Sequence, residues 1–265
     1  MRLLPILAAL FFNVTFSLSA LGASPSIIYA LGPPSIPLFE LAPENDNGWK
    51  GLYIEIAEEI FVKELGYRLV IEQYPWKRAQ QNVREGIADI TFTIPTAERL
   101  EYALVSDQPI LKMYLNLYTY AGHPKLGEIR KIKTVQDIIA LGLKPVTNLG
   151  NGWHKENIEN AGVTAFYVPN DENIIQFLAL KRADIMIDAP IFMNHLIQQY
   201  NLESKIVKTD VMFGPLNFHL LVSKNSRYAQ LMPKINEVIN ELEKRGTFER
   251  GLQVFKPSKS PGRYE

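Results

Sequence analysis

The sequence contains no cysteine. Disulfide bonds and thiolate metal ligands are therefore excluded, and stability has to come from hydrophobic cores. The sequence also has no excess of either charge, because 28 lysines and arginines are matched by 28 aspartates and glutamates. This balance gives no support for binding to a nucleic acid or to an anionic membrane surface.

Long apolar runs are confined to the N-terminus. Arg2 is followed by a mainly apolar stretch over residues 3–21 and then by three small residues. This order is typical of a secretory signal peptide, so we predict that residues 1–23 are cleaved and that the protein is exported to the periplasm. Without this segment the net charge would be −1. An uncleaved membrane anchor is the alternative.

Two sets of alternating strand and helix patterns follow this segment. In the first set, strands are predicted at 26–31, 67–75 and 88–94, and helices at 52–65 and 76–86. This βαβαβ order indicates a parallel sheet in an α/β fold. Ligands bind such sheets beyond the carboxyl ends of the strands, so residues near these ends are the candidates for a binding site.

The second set of patterns occupies residues 133–201, between two long strand patterns at 111–122 and 215–224. An amphipathic helix and a short helix are predicted at 229–255. We therefore predict an α/β fold of two lobes joined by two crossings. The predicted bounds are a signal peptide at 1–23, lobe 1 at 24–115 plus 216–256, lobe 2 at 116–215, and a flexible tail at 257–265.

Hydroxyl groups and one arginine lie close together where the strand at 88–94 ends. Thr91 and Thr93 share one face of that strand, and Thr96 can cap a helix that carries Arg99 in its first turn. Free N–H groups and a guanidinium both favour an anion, so we predict that this segment binds a small carboxylate. The alternatives are the β-propensity of threonine and a surface ion pair between Arg99 and a neighbouring acid such as Glu98.

A second group of candidates lies in the second set of patterns. Asp188 ends the strand pattern at its carboxyl end, with the role of a helix N-cap as its structural alternative. Asn151, Gly152 and Trp153 belong to a glycine-containing loop before a helix, whose N–H groups could bind a carboxylate while the indole forms an aromatic wall.

Three further candidates lie in the first set. Phe39 and Trp76 stand at loop or strand ends, where either ring could stack on a ligand, with core packing as the alternative. Arg78 is a candidate for a second anion contact. The histidines have no metal-ligand spacing among themselves, and no phosphate-binding or nucleophile-elbow motif is present. We therefore predict no cofactor, no metal and no catalytic residue.

Several blocks of the sequence resemble a known family. "GLYIEIAEEIFVKELGYRLVIEQYPW" and "YPWKRAQQNVREGIADITFTIPTAERLEYALVSDQPI" resemble the first half of bacterial solute-binding proteins of family 3, the polar amino-acid group. "TVQDI", "VTNLGNGWHKENI", "FLALKRADIMIDAPI" and "RYAQLMPKINEVINELEKRGTFERGL" are similar to their second half. The resemblance extends over roughly residues 26–255 and depends on the order and spacing of the blocks.

The resemblance implies a two-lobed periplasmic binding protein of type II that closes on a small solute and delivers it to the permease of an ABC transporter. By the same resemblance, Arg99 would bind the α-carboxylate of an amino acid and Asp188 its α-ammonium group. An aromatic residue of the first loop would pack on the ligand side chain. A ligand other than a standard α-amino acid is an open alternative.

The sequence thus predicts a monomeric, non-enzymatic solute-binding protein that takes an amino acid or a related carboxylate and does not bind nucleic acid. Two other functions are alternatives. The first is a dehydratase-like periplasmic enzyme, for which a titratable group with a shifted pKa near Arg99 would be the sign, with Glu40, Glu72 and Asp188 as candidates. The second is a ligand-sensing module that acts with a separate receptor.

Overall fold

The computed structural model describes residues 25–248. The predicted signal peptide, the predicted tail and the last part of the helix pattern at 229–255 lie outside the described residues. The strands are β1 (Ser26–Leu31), β2 (Glu40–Leu41), β3 (Trp49–Lys50), β4 (Arg68–Gln73), β5 (Ile90–Thr93), β6 (Ala103–Val105), β7 (Leu111–Tyr120), β8 (Val146–Asn148), β9 (Phe166–Val168), β10 (Ile185–Asp188) and β11 (Ile206–Ser223).

The α-helices are α1 (Leu52–Ala57), α2 (Trp76–Glu85), α3 (Ala97–Tyr102), α4 (Leu126–Ile129), α5 (Val135–Ala140), α6 (Gly152–His154), α7 (Asp171–Ala179), α8 (Pro190–Gln199) and α9 (Met232–Lys244). Two of them, α1 and α6, continue as π-helices at Glu58–Glu64 and Lys155–Glu159. No helix within residues 25–248 has the length and apolar character needed to cross a membrane.

The first lobe is built on a sheet whose strand order is β4-β1-β5-β11. β1 pairs in parallel with both β4 and β5, as the βαβαβ pattern predicts, and β11 lies antiparallel between β5 and β6. The apolar face predicted for the helix at 52–65 is buried at Ile56, Ile60 and Phe61, which belong to the main hydrophobic core. Hydrophobic periodicity therefore places this helix correctly.

The second lobe contains two groups of paired strands. β10 pairs antiparallel with β7, and β8 pairs in parallel with β9. A parallel bridge between Pro145 and Ile185 sets β8 beside β10. The carboxyl ends of β8 and β10 consequently lie on the same side of this lobe, and that side faces the first lobe.

Strand β11 is longer than the sequence predicts. The prediction began at residue 215, but β11 begins at Ile206 and pairs along β7 before it reaches β5 in the first lobe. Charged residues and the Gly214-Pro215 pair interrupt the apolar pattern there, whereas the ladder with β7 supplies the backbone hydrogen bonds. The pairing with β7 shifts register between Phe213 and Leu216. β7 and β11 are therefore the two crossings between the lobes.

Candidate functional site

A cavity of about 560 Å³ lies between the two lobes. Its wall includes the last residues of β1 and β5 from the first lobe, Leu31 and Thr93, and of β8 and β10 from the second, Asn148 and Asp188. The carboxyl ends of strands from both lobes therefore meet at this cavity, which is where α/β sheets bind ligands.

Most of the residues predicted for the site line this cavity. They are Phe39, Trp76, Thr91, Thr93, Arg99, Asn151, Trp153 and Asp188. Two do not line it: Arg78 is exposed on α2, and Gly152 packs behind the wall, where a Cβ atom would lie 3.1 Å from the Thr96 methyl carbon. A direct role of any of these residues in ligand binding stays a prediction.

The side chains of two predicted polar residues, Thr91 and Asn151, form hydrogen bonds within the protein. The Thr91 hydroxyl donates to the backbone oxygen of Ala30 (3.1 Å), which ties β5 to β1. The Asn151 side chain accepts from the N–H of His154 (3.0 Å) and donates to the Thr147 hydroxyl (2.9 Å), so it caps α6 and fixes the loop before it. Thr91 and Asn151 therefore shape the cavity from within the wall.

Arg99 is buried, with 4% of its surface exposed. As predicted, Thr96 caps α3, since its hydroxyl accepts from the Arg99 N–H (3.3 Å). The guanidinium donates twice to Gln80 Oε1 (3.1 and 3.0 Å), once to the Ile94 oxygen (2.7 Å) and once to the Gly150 oxygen (3.3 Å). The alternative of a surface ion pair is wrong. Burial lowers the pKa of Arg99 from its usual value.

The contacts of Gly150 join the lobes beside the cavity. Its oxygen accepts from Gln80 Nε2 (3.1 Å) as well as from Arg99, and both donors belong to the first lobe. Gly150 has a φ of +88°, and a Cβ atom there would lie 2.7 Å from Gln80 Nε2. A glycine at this position thus permits both the left-handed backbone and the close approach of the lobes.

A second interlobe contact lies on the outer side of α3. The Ala97 N–H donates to Glu156 Oε1 (2.5 Å), and Lys155 Nζ lies 3.4 Å from Glu98 Oε2. The first free N–H of α3 was predicted to attract a ligand anion, but a carboxylate of the chain itself accepts its hydrogen bond.

Asp188 lies in the cavity wall of the second lobe. It accepts a hydrogen bond from the Ala189 N–H (2.7 Å), and Ala189 is the N-cap residue of α8 without a side-chain cap. The N-cap alternative for Asp188 is therefore wrong. Burial, and then the neighbouring carboxylate of Asp171, raise the pKa of Asp188 to about 8.

Several residues of the wall were not predicted from the sequence, including Tyr53, Asp171, Glu172 and His195. Asp171 accepts from Asn148 Nδ2 (2.8 Å), and burial raises its pKa. Acids in the first turn of a helix are common, so the position of Asp171 in the sequence gave no sign of a cavity. Only the folded second lobe brings it near Asp188.

Aromatic rings from both lobes complete the wall. The Tyr53 ring stacks near that of Phe39 (6.3 Å between centroids) and meets Phe92 edge-on (5.3 Å). Trp153 packs edge-on against Phe213 at 6.0 Å, and Trp76 lies 5.6 Å from the guanidinium carbon of Arg99. Phe39 and Trp76 thus take part in packing and face the cavity at once.

Solved structures with the same fold are numerous. One is an amino-acid ABC transporter substrate-binding protein of Streptococcus pneumoniae bound to L-arginine, with 19% identity, 87% of this chain and 94% of that chain covered, and a TM-score of 0.67. Another is a histidine kinase sensor domain similar to periplasmic binding proteins (15% identity, 88% and 96% covered, TM-score 0.70). A third is an ancestral amino-acid-binding protein, a precursor of cyclohexadienyl dehydratase. It has 19% identity, 87% of this chain and 95% of that chain are covered, and the TM-score is 0.65.

These similarities confirm the predicted two-lobed α/β fold of the type II periplasmic binding proteins. No curated protein sequence matches the chain significantly. The model of the family named bacterial extracellular solute-binding proteins, family 3, matches residues 30–255. This range is close to the one over which the sequence resemblance was found. The chain belongs to family 3 of the bacterial extracellular solute-binding proteins.

Proposed function

We propose that the protein captures a small polar solute between its lobes, an amino acid or a related small carboxylate, and delivers it to the permease of an ABC importer. The observation that carries this proposal is the interlobe cavity, which has a guanidinium on one wall, carboxylic acids on the other and aromatic rings from both lobes. Solved relatives of the same fold bind amino acids, including L-arginine. Hinge closure around a solute would favour the form that a permease recognises.

The proposal includes the setting of the protein. A cleavable signal peptide at 1–23 would bring a monomer into the periplasm. The lobes would be bounded at residues 115/116 and 215/216, where β7 and β11 cross between the sheets, and the register shift between Phe213 and Leu216 supports the second bound. A closing motion would bend the chain at these two crossings.

A thermal-shift screen tests the proposal. The library would hold amino acids, opines, polyamines and small carboxylates. A solute at about 100 times its dissociation constant stabilises the folded protein by roughly 2.7 kcal/mol, which is readily measured. We expect a shift with at least one amino acid or related solute. The absence of a shift with every member of the library would contradict the proposal.

An enzyme on the same fold is a second candidate, because one observation favours it. Burial and the charge of Asp171 raise the pKa of Asp188 to about 8, and Asp188 lines the same cavity as Arg99. A titratable group with a shifted pKa in such a cavity is what an acid–base catalyst needs. Proton NMR of each bound solute over time separates the two functions. A binding protein returns the solute unchanged, whereas an enzyme of the dehydratase type releases water and an unsaturated product.

A further inference from the structure

The two lobes contact each other through atoms of the chain itself at one side of the cavity. The Gly150 oxygen of the second lobe accepts hydrogen bonds from Gln80 Nε2 (3.1 Å) and Arg99 Nη2 (3.3 Å) of the first. Gln80 Oε1 also accepts two hydrogen bonds from Arg99 (3.1 and 3.0 Å). We call these three residues the clasp. Its contacts need no solute atom to complete them, so they can form whether or not a solute is bound.

The hydrogen bonds of the clasp leave Arg99 with little capacity for a solute. A guanidinium has five N–H groups, and Arg99 donates four hydrogen bonds within the chain, including one to the Ile94 oxygen (2.7 Å). At most one N–H group is then free, whereas the specific binding of a carboxylate by arginine uses two parallel hydrogen bonds. While the clasp is formed, Arg99 cannot bind a carboxylate in this way.

The side-chain amide of Gln80 takes part on both sides of the contact. Its oxygen faces the guanidinium, which can only donate, and its NH2 group is therefore turned towards the Gly150 oxygen. Gln80 belongs to α2 and does not line the cavity. It thus fixes the guanidinium from outside the cavity and joins it to the second lobe, which is the arrangement of a positioning residue.

Two glycines of the second lobe permit this close approach. A Cβ atom at Gly150 would lie 3.5 Å from the Lys77 Cα atom of α2 and 2.7 Å from Gln80 Nε2. A Cβ atom at Gly152 would lie 3.4 Å from the guanidinium carbon of Arg99. The loop before α6 therefore packs directly against α2 and Arg99, and glycine leaves the space for it. This fit is a second observation, separate from the hydrogen bonds, that favours a built contact between the lobes.

The outer contacts between the lobes are weaker. Lys155 Nζ lies 3.4 Å from Glu98 Oε2, and these side chains are 61% and 55% exposed. Exposed ion pairs contribute little, whereas Arg99 is buried and its hydrogen bonds are shielded from water. The clasp therefore contributes more to closure than this ion pair does.

We propose that the clasp closes the lobes independently of a solute and that Gln80 positions Arg99 for this role. The Gly150 oxygen takes a donor of Arg99 that a solute carboxylate would need. The inference goes beyond the proposed function, because it concerns the ligand-free protein. Closure alone then does not report that a solute is bound, so a permease needs a further feature to distinguish the loaded form.

Double electron–electron resonance of the exported, full-length protein measures closure directly. The chain has no cysteine, so two introduced cysteines are the only sites for spin labels. Glu101→Cys on α3 and Asn160→Cys, directly after the π-helix that continues α6, replace exposed residues in the two lobes. Unfolding in guanidinium chloride and refolding removes any bound solute beforehand. Without added solute, we expect one main distance, that of the closed form in this structure.

The variant Gln80→Glu separates the two contacts of Gln80. A glutamate keeps oxygens that accept from Arg99 but has no N–H group to donate to Gly150. We expect a second, longer distance, with an open fraction about tenfold larger than in the wild type, because a hydrogen bond between the lobes is lost and two oxygens face each other. Gln81→Glu, which changes an exposed residue of α2, is the matched control and should leave the distances unchanged.

Three results would overturn the inference. A wild type whose main distance is longer than that of the closed form would show that the clasp does not close the lobes, whatever the variants do. The same distances in Gln80→Glu and the wild type, with folding checked by far-UV circular dichroism, would remove Gln80 as the positioning residue. An equal open fraction in Gln81→Glu would assign the effect to the added charge. Each result would leave the proposed function standing, because the thermal-shift screen measures solute binding separately.

Discussion

Arg99 in the first lobe donates a hydrogen bond to the backbone oxygen of Gly150 in the second, at 3.3 Å. Gln80 is bound to both residues, so the three form one network across the interlobe boundary. The residue that the family resemblance assigns to a ligand carboxylate therefore also holds the lobes together. Substitutions in this network should change the balance between open and closed forms.

Gly150→Ala should favour the open form. The new methyl group would force Gln80 away from its contacts with Arg99 and Gly150, and alanine also disfavours the φ of +88° by about 1 kcal/mol. We expect a larger radius of gyration in small-angle X-ray scattering and weaker solute binding.

Gly162→Ala is the matched control for Gly150→Ala. Gly162 has a φ of +102°, but a Cβ atom there would have no neighbour within 4 Å. It therefore shares the backbone cost without the steric clash. Equal radii of gyration for the two variants would show that the contact at Gly150 does not control closure.

Arg99→Ala should destabilise the protein by about 2–4 kcal/mol, because it leaves buried acceptors without donors. Arg78→Ala, which changes an exposed arginine of α2, should alter the free energy of unfolding by less than about 0.5 kcal/mol. Urea denaturation of both variants measures the difference. A small loss in Arg99→Ala would mean that its hydrogen bonds contribute little to stability.

Asp188→Asn should stabilise the ligand-free protein at neutral pH. The folded-state pKa of about 8 lies above the unfolded value of 3.8, so the native state binds more protons between these values. The contribution of this carboxyl group to the free energy of unfolding of the wild type should therefore fall as pH rises from about 4 to about 8. Asp171 and Tyr118 interact electrostatically with Asp188, and Glu172 and His195 line the same cavity.

Urea denaturation at about pH 5 and about pH 8 measures this effect. The wild type should lose more stability between the two values than Asp188→Asn does, by about 1–3 kcal/mol. The same pH slope in both proteins would show that the carboxyl group of Asp188 is ionised in the native state at neutral pH.

His154 should make the protein sensitive to acid. It is completely buried, neither ring nitrogen has a hydrogen-bond partner among the described residues, and burial lowers its pKa from 6.5 to about 4. The native state thus binds fewer protons than the unfolded state in this range, and stability should decrease as pH falls from 6.5 towards 4. The carboxylate oxygen Oε1 of Glu159 lies 3.7 Å from His154 Nδ1, which is too far for a hydrogen bond.

His154→Leu should remove this part of the acid sensitivity while it keeps the position apolar. Thermal unfolding of both proteins at about pH 7 and about pH 5 gives the comparison. Equal decreases in melting temperature would assign the acid sensitivity to other groups.

Local chemistry explains which parts of the fold were predictable. Apolar periodicity located β1 and the helix at 52–65, and the side chain of Thr96 identified the start of α3. The partners of Arg99 were not predictable, because Gln80 and Gly150 are 19 and 51 residues away in the sequence. Contacts at such distances depend on how the two lobes meet.

The acidic wall was unpredictable for the same reason. Asp188 could be named because it ends a strand, whereas Asp171 looks like an ordinary acid in the first turn of a helix. The two become neighbours only when β8, β9 and β10 assemble in the second lobe. The full length of β11 likewise depends on its pairing with β7, which no local pattern indicates.

The central claim, that the interlobe cavity binds an amino acid or a related small carboxylate, is tested most directly by a thermal-shift titration of the wild type and Asp188→Asn with the solutes of the library named above. We expect a concentration-dependent rise in the melting temperature of the wild type, of about 2.7 kcal/mol in stability at 100 times the dissociation constant, and little or no rise in the variant. An equal rise in both proteins, or none in the wild type, would contradict the account.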